Sequence, residues 1–250
     1  MLNNTLLSLA SYKNSEDAII LGSGSSINGI TEKQWKVISR YDTFAINNWV
    51  YHPFFVPKYY MIETKWYAYE IMKRRFQEKS KQYKSTVFMF PQGKHIRMKD
   101  GRSLPLKQVI PNGHINYEVP LQKRGNRESP DKYNAEYKFS SFAIHKSYDM
   151  SMTSLIEILY RLGYTNLILF GVDLYNSLYF WSSGDAKYGE VHHLWNKQHE
   201  NRQPQAPHNT SRITQFIIDF NNRYFIPSNG EIFVGTKNTS LYPSLNYELL

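Results

Sequence analysis

The stretch DAIILGSGSSI, residues 17–27, decides the fold that we expect of this chain. Its apolar run Ala18–Leu21 is typical of a strand that is buried on both faces of a parallel sheet. Gly22 and Gly24 follow directly, and glycine permits positive φ and a close approach of the backbone to a ligand. The turn can then direct backbone N–H groups and serine hydroxyls at an anion.

The loop after the first strand of an open α/β sheet is a common nucleotide-binding position. The dinucleotide fingerprint Gly-x-Gly-x-x-Gly is incomplete here, because Ile27 stands where the third glycine belongs. A turn with a purely structural role is therefore the alternative to an anion site. The candidate binding residues of this turn are Gly22, Ser23, Gly24, Ser25 and Ser26.

The chain has 250 residues, a formal net charge of +9 and no cysteine. The charge predicts an anionic partner, such as nucleic acid, a membrane surface or a phosphorylated substrate, with solvated basic faces as the alternative. The sequence contains no 18-residue apolar run, so we expect no transmembrane helix. Its first residues lack the basic region and long apolar segment of a signal peptide. We expect a single domain over 1–250, located in the cytoplasm or peripherally at the inner membrane. A homo-oligomer is left open.

Helical and strand patterns alternate along most of the sequence, which predicts the α/β class: a Rossmann-like, mainly parallel sheet sandwiched by helices. Residues 91–147 are expected to form an irregular insertion and residues 176–207 a lid. The predicted strands are 18–21, 42–47, 58–62, 86–90, 166–173 and 231–234, and the predicted helices are 31–40, 66–82, 152–162 and 210–223.

Polar residues follow several of these strands, at the edge of a parallel sheet where loops gather. Asp173 follows Gly171 and can be a metal ligand, a ribose-binding group or a helix cap. His208 is expected just before a helix, where it can act as a general base or be an ordinary surface histidine. The other strand-end candidates are Asn47, Asn48, Glu63 and Thr64.

Four histidines, His192, His193, His199 and His208, raise the alternative of a metal cluster. No acidic or cysteine residue completes a zinc-binding spacing with them, so the prediction is that the site holds no metal. The sequence also lacks the Gly-x-Ser-x-Gly, P-loop and His-Glu-x-x-His motifs, which argues against the commonest hydrolases and NTPases.

The order of these pieces resembles the small bacterial sialyltransferases of glycosyltransferase family 42, and more loosely related motility-accessory proteins and domains of unknown function. The resemblance covers about two-thirds of the chain and leaves 91–147 without a counterpart. Its pieces are Gly22–Ser26, Ala45–Asn48 with the aromatic run to Tyr60, Leu162–Tyr164, Ile168–Tyr175 and His208–Thr210.

The resemblance implies a metal-independent, inverting transfer from a CMP-activated sugar to a hydroxyl of a glycan or glycolipid, with no cofactor. His208 would be the general base, and Tyr175, with Tyr179 or Trp181, would face the departing phosphate. The nucleotide would lie against Gly22–Ser26 and against the positions Asn47, Asn48, Glu63, Thr64, Ser151, Gly171 and Asp173.

Four positions depart from the family pattern and concern the donor sugar, for which sialic acid, Kdo or a similar sugar stay open. Ser23 replaces an asparagine, Glu63-Thr64 replaces a second asparagine, and Trp181 stands at the second tyrosine. The arginine before the glycine-capped helix is replaced by Lys146 or Tyr148. Two other hypotheses remain: a pyrophosphokinase-like enzyme that uses ATP and Mg²⁺, and a basic protein that binds or modifies nucleic acid.

Overall fold

The computed structural model describes residues 4–63, 66–119, 121–123, 144–146, 151–175, 179–183 and 207–250. The strands in this part of the chain are β1 (Asp17–Leu21), β2 (Asp42–Ile46), β3 (Tyr59–Met61), β4 (Val87–Pro91), β5 (His95–Arg97), β6 (Ser103–Pro105), β7 (Asn116–Val119), β8 (Leu121–Lys123), β9 (Ile144–Lys146), β10 (Asn166–Phe170) and β11 (Glu231–Val234). Its helices are α1 (Asn4–Ala10), α2 (Glu32–Ile38), α3 (Trp66–Glu78), α4 (Ser151–Arg161) and α5 (Pro207–Phe220).

Seven strands form one sheet in the order β11-β10-β1-β2-β3-β4-β7, and every pairing in it is parallel. From β1 the chain moves outward through β2, β3 and β4, and later returns to place β10 on the other side of β1. The strand order therefore reverses between β1 and β10. The predicted α/β class with a mainly parallel sheet is confirmed.

Helices cover both faces of this sheet. Successive side chains of β1 point to opposite faces, so Ile19 packs with α2 and α3 while Ile20 packs with α1, α4 and α5. The predicted capping box is present, since Thr31 and Gln34 each bond the other's backbone N–H at the start of α2. Gly163 has φ 76° after α4, as a glycine at a helix end requires.

The prediction that the chain is irregular from residue 91 onward is wrong for several segments. β5 and β6 form a hairpin, and β7 extends the main sheet in parallel with β4. The sequence of β7, Asn-Tyr-Glu-Val, has no apolar run because an edge strand is covered on few sides. Residues 124–143 of the expected insertion lie outside the described residues.

Asp42, the first residue of β2, joins four segments at the amino edge of the sheet. Its buried carboxylate accepts hydrogen bonds from the backbone of Asn14 (2.8 Å) and the hydroxyl of Tyr164 (2.7 Å). It also binds the amine of Lys58 at 2.6 Å. A buried charge needs such partners, because removing one partner of a buried ion pair lowers the free energy of unfolding by about 3–5 kcal/mol.

Buried tyrosines make the fold sensitive to high pH. Burial raises the pKa of Tyr59, Tyr60 and Tyr83 above its ordinary value. The unfolded chain therefore loses these protons first as the pH rises through about 10, whereas the folded chain keeps them. The contribution of these groups to stability is complete below pH 10 and falls above it.

Replacing Tyr83 by phenylalanine tests this conclusion. The Tyr83 hydroxyl is buried without a hydrogen-bond partner among the described residues. We expect Tyr83→Phe to raise the free energy of unfolding at pH 7 by about 1 kcal/mol, because an unpaired buried polar group is removed. Urea denaturation at pH 7 and pH 10.5 should also show that Tyr83→Phe loses less of its free energy of unfolding at the higher pH than the wild type does. Tyr242→Phe at an exposed tyrosine is the control, and a destabilised Tyr83→Phe at pH 7 would contradict the argument.

Candidate functional site

The glycines after β1 serve close backbone contact rather than positive φ. A Cβ on Gly22 would lie 2.3 Å from the Gly171 carbonyl oxygen, and one on Gly24 would lie 2.5 Å from Asp173 Cγ. Gly24 has φ −67°, and the positive φ in this region belongs to Gly171 at 66°. The expectation of positive φ is therefore not met at Gly22 or Gly24. They are small because the loop after β10 lies directly against them.

The anion that the first turn binds is a carboxylate of the protein itself. Asp173 is 3% exposed, and its Oδ2 accepts from the Ser26 backbone N–H at 3.0 Å and from the Ser25 hydroxyl at 3.2 Å. The Ser26 hydroxyl donates to Oδ1. These donors lie at the start of the 3₁₀ helix Ser25–Gly29, whose N-cap Gly24 has no side chain to offer. Of the three hypotheses for Asp173, the geometry matches the helix cap.

Residues near the carboxyl terminus hold the other side of this loop. The Thr239 hydroxyl donates to the Val172 carbonyl at 2.6 Å, and the Ser240 N–H donates to the Asp173 carbonyl at 2.9 Å. The sequence analysis did not identify these two residues. Nothing in their local pattern signals a contact across more than 60 positions.

A second polar cluster lies beside the turn, where β2 and β3 end and α4 begins. Asn47 has φ 51°, and its Oδ1 accepts from the Glu63 N–H at 3.2 Å and from the Ser151 hydroxyl at 3.2 Å. The Ser151 hydroxyl also lies 2.8 Å from Glu63 Oε2. Three candidates from distant parts of the sequence thus meet. Asn48 is half-buried in the following 3₁₀ helix, and Thr64 lies outside the described residues.

Tyr60 fixes the backbone of Asn47 and was not among the candidate residues. Its hydroxyl donates to the Asn47 carbonyl at 2.5 Å and accepts from the Val50 N–H at 2.6 Å. Both bonds hold the turn after β2 in place. A non-glycine residue at positive φ persists only where its surroundings hold it, and such residues are found often at functional sites.

The aromatic candidates after β10 divide into an exposed tyrosine and a buried pair. Tyr175 is 49% exposed and follows Leu174, which has φ 58°. Trp181 is fully buried and stacks on Tyr179, with their ring centroids 4.6 Å apart. The Phe180 N–H donates to the Ser23 carbonyl at 3.0 Å, so this segment lies over the first turn. The burial of Trp181 indicates a packing role for that residue.

His208 lies within the first turn of α5 rather than before the helix. The helix begins at Pro207, which suits the first helical position because its fixed φ is helical and its missing N–H is not needed there. The structure describes His208 by its backbone alone. The other three histidines of the alternative metal cluster, His192, His193 and His199, lie outside the described residues.

Part of the predicted basic surface has a structural role. The Lys79 amine donates to the carbonyls of Val50 (2.9 Å) and His52 (2.6 Å), and burial, with Arg75 nearby, lowers the pKa of Lys79 to about 8. Arg75 itself pairs with Glu78 at 2.9 Å. Within the described ranges, no helix is long and apolar enough to cross a membrane, and no three His, Asp or Glu side chains group as metal ligands.

Adding a methyl group at Gly24 tests the contact between the two loops. We expect Gly24→Ala to lower the free energy of unfolding by about 2 kcal/mol, because its Cβ would meet the Asp173 carboxylate while the backbone itself is compatible with alanine. Gly29→Ala in the same segment is the matched control, since its Cβ meets no atom within 4 Å. Equal stabilities of the two variants in urea denaturation would contradict the close approach.

The chain matches no protein-family model and no curated protein. Among solved structures it is similar to the monofunctional alpha-2,3-sialyltransferase Cst-I from Campylobacter jejuni, with 14% identity and a TM-score of 0.45 over 95% of this chain and 82% of that one. An alpha-2,3-sialyltransferase from Campylobacter jejuni in apo form has the same identity and TM-score over 95% and 84% of the two chains. Because both TM-scores are below 0.5, the fold assignment rests on the strand order and register of this chain alone.

Proposed function

We propose that this protein is a metal-independent, inverting glycosyltransferase that moves a sugar from a CMP-activated donor to a hydroxyl of a glycan or glycolipid. The observation that carries the proposal is the meeting of Asn47, Glu63 and Ser151 beside the point where the strand order reverses. In open α/β sheets, ligands bind outside the carboxyl ends of the strands near such a point.

Asn47 and Glu63 supply complementary groups for a nucleotide. The Asn47 Oδ1 accepts from the Glu63 N–H, so the Asn47 Nδ2 protons remain as donors toward a phosphate, ribose or cytosine oxygen. The Glu63 carboxylate can accept from ribose hydroxyls, as an acidic residue does in many dinucleotide sites. Tyr60 keeps this cluster rigid through the Asn47 carbonyl. A nucleotide would therefore meet a preorganised donor and acceptor pair.

Tyr175 is the residue that we assign to the departing CMP. Its exposure at the point of strand reversal leaves the phenol open to a ligand, and a phenolic O–H can donate to the charge that develops on the leaving phosphate. Such a donor takes the place that a divalent cation fills in metal-dependent transferases. Trp181 and Tyr179 serve in this proposal as the packed support of the loop.

In the reaction, the acceptor oxygen bonds to the anomeric carbon of the donor sugar while the bond from that carbon to the CMP phosphate oxygen breaks. The acceptor proton passes to the imidazole of His208, and CMP leaves with the bonding electrons. Attack from the face opposite the phosphate inverts the anomeric configuration. The position of His208 in the first turn of α5 supports this role, because the start of a helix is held in place by the rest of the helix.

A nucleotide panel tests the donor assignment. We expect CMP to raise the melting temperature more than ADP or UMP does, because CMP is part of the proposed donor. A ligand that binds only the folded state stabilises that state by mass action, by about 2.7 kcal/mol at 100 times its Kd. Asn47→Asp keeps the Oδ1 acceptor and tolerates positive φ but removes the Nδ2 donors, so it should weaken CMP binding about tenfold.

Asn116→Asp on the exposed edge strand makes the same charge change and should leave the CMP shift intact. Equal shifts for all nucleotides would exclude the cytidine assignment. A larger shift with ATP and Mg²⁺ would favour the pyrophosphokinase-like alternative, and steeply salt-dependent binding to RNA or DNA would favour a nucleic-acid function.

Replacing His208 tests the base. We expect His208→Ala to lower transfer from CMP-N-acetylneuraminic acid or CMP-Kdo by at least about 100-fold while the CMP-induced thermal shift stays near that of the wild type. His95→Ala on the exposed hairpin is the control histidine. Turnover of the His208→Ala protein at the wild-type rate would remove this residue from the mechanism.

A further inference from the structure

A cavity of about 430 Å³ lies on the opposite side of β1 from the Asn47 cluster, where β10 and β11 end. Its volume lies within the range of small-molecule sites, about 300–1,000 Å³. Ser26, which binds Asp173 in the first turn, is also part of its wall, so the cavity adjoins that turn. Its lining residues are Ser26, Gly29, Ile30, Gln34, Phe170, Gly235, Thr236, Lys237 and Tyr247.

Among the described residues, the side chains that line this cavity supply hydrogen-bond donors and no carboxylate. Gln34 Oε1 accepts from both the N–H (3.0 Å) and the hydroxyl (3.1 Å) of Thr31, which leaves its Nε2 protons as donors. The Thr236 oxygen accepts from the Asn238 N–H at 3.1 Å and keeps its own proton to donate. A wall with this chemistry binds acceptor groups.

Lys237 adds a positive charge that aromatic rings hold in place. Its ammonium lies 5.5 Å from the ring centroid of Tyr242 and 5.2 Å from that of Tyr247. Across the described ranges no carboxylate lies within the 4.0 Å of an ion pair with Lys237. Among the described residues the charge is therefore held in position without a carboxylate partner, which favours an anionic ligand.

Aromatic rings give the cavity an apolar surface as well. A Cβ on Gly235 would lie 2.3 Å from the Phe170 ring, so glycine is needed to seat that ring against β11. Phe170 is 2% exposed and closes the cavity at its base, while the half-buried Tyr247 lines the same space as the donors. A tyrosine ring beside hydrogen-bond donors suits a sugar, whose C–H face packs on a ring while its hydroxyls form hydrogen bonds at the rim.

We propose that this cavity is a binding subsite for an acidic sugar, whose carboxylate pairs with Lys237 and whose oxygens accept from Gln34 and Thr236. Its assignment to the acceptor glycan rests on the proposed transferase function, because a transferase must bind an acceptor as well as a donor. The recognition of the acidic sugar itself does not depend on that function.

Calorimetric titration of the whole protein without nucleotide tests the subsite. We expect N-acetylneuraminic acid or glucuronic acid to bind, and lactose and inorganic phosphate to bind at least about tenfold more weakly. Lys237→Met keeps the side-chain stem and removes the charge, and should weaken acidic-sugar binding at least about tenfold. Lys33→Met, exposed on α2 and outside the cavity lining, is the matched control and should bind as the wild type does.

Thr236→Val provides a second variant, which removes one donor and keeps the charge, and should weaken binding by a smaller factor. Absent binding of both acidic sugars, equal binding of phosphate, or wild-type binding by Lys237→Met would overturn the proposal. The CMP-induced thermal shift of Lys237→Met should equal that of the wild type. Acidic-sugar binding without any CMP shift would retain the subsite and reject the transferase.

Discussion

The carboxylate of Asp173 is the group on which the arrangement at the point of strand reversal depends. It is nearly excluded from water, a state whose cost is offset by one backbone N–H and two hydroxyls from the turn after β1. The glycines of that turn are small because this loop must come within contact distance. Thr239 and Ser240 hold the same loop from the other side. Two loops separated by about 150 residues thereby form one rigid unit.

Because the first turn already binds an internal anion, the serine donors at Ser25 and Ser26 are engaged within the protein. The positions open to a ligand lie to either side of it. Asn47 presents amide donors beside β2, and Lys237 presents a positive charge beside β11. The groups at this sheet edge that are open to a ligand thus lie on the two sides of the first turn rather than within it. Ile27, at the position of the missing third glycine, is buried against Gly171.

Continuous apolar runs made the central strands predictable from sequence. β11 has the predicted bounds, β1 begins one residue before its predicted start, and β10 begins as predicted but ends at Phe170 rather than Asp173. These strands could be located because a strand buried on both faces leaves a strong local signal. The edge strand β7 leaves no such signal. The partners of Asp173 lie about 148 positions away, and the cavity is lined from residues 26–34, 170 and 235–247. Contacts of this kind are properties of the folded sheet, so no local pattern contains them.

Positive φ at Leu174 connects this rigid unit to the proposed chemistry. Asn47 and Asn229 also have positive φ, but asparagine tolerates it, and Asn229 follows a short helix where this conformation is common. A leucine in this region costs on the order of 1 kcal/mol. The Asp173 contacts immediately before it hold this loop in place, and Tyr175 immediately after it is half-exposed to solvent. The interaction that closes the first turn therefore also sets the direction of the side chain proposed to meet the leaving phosphate.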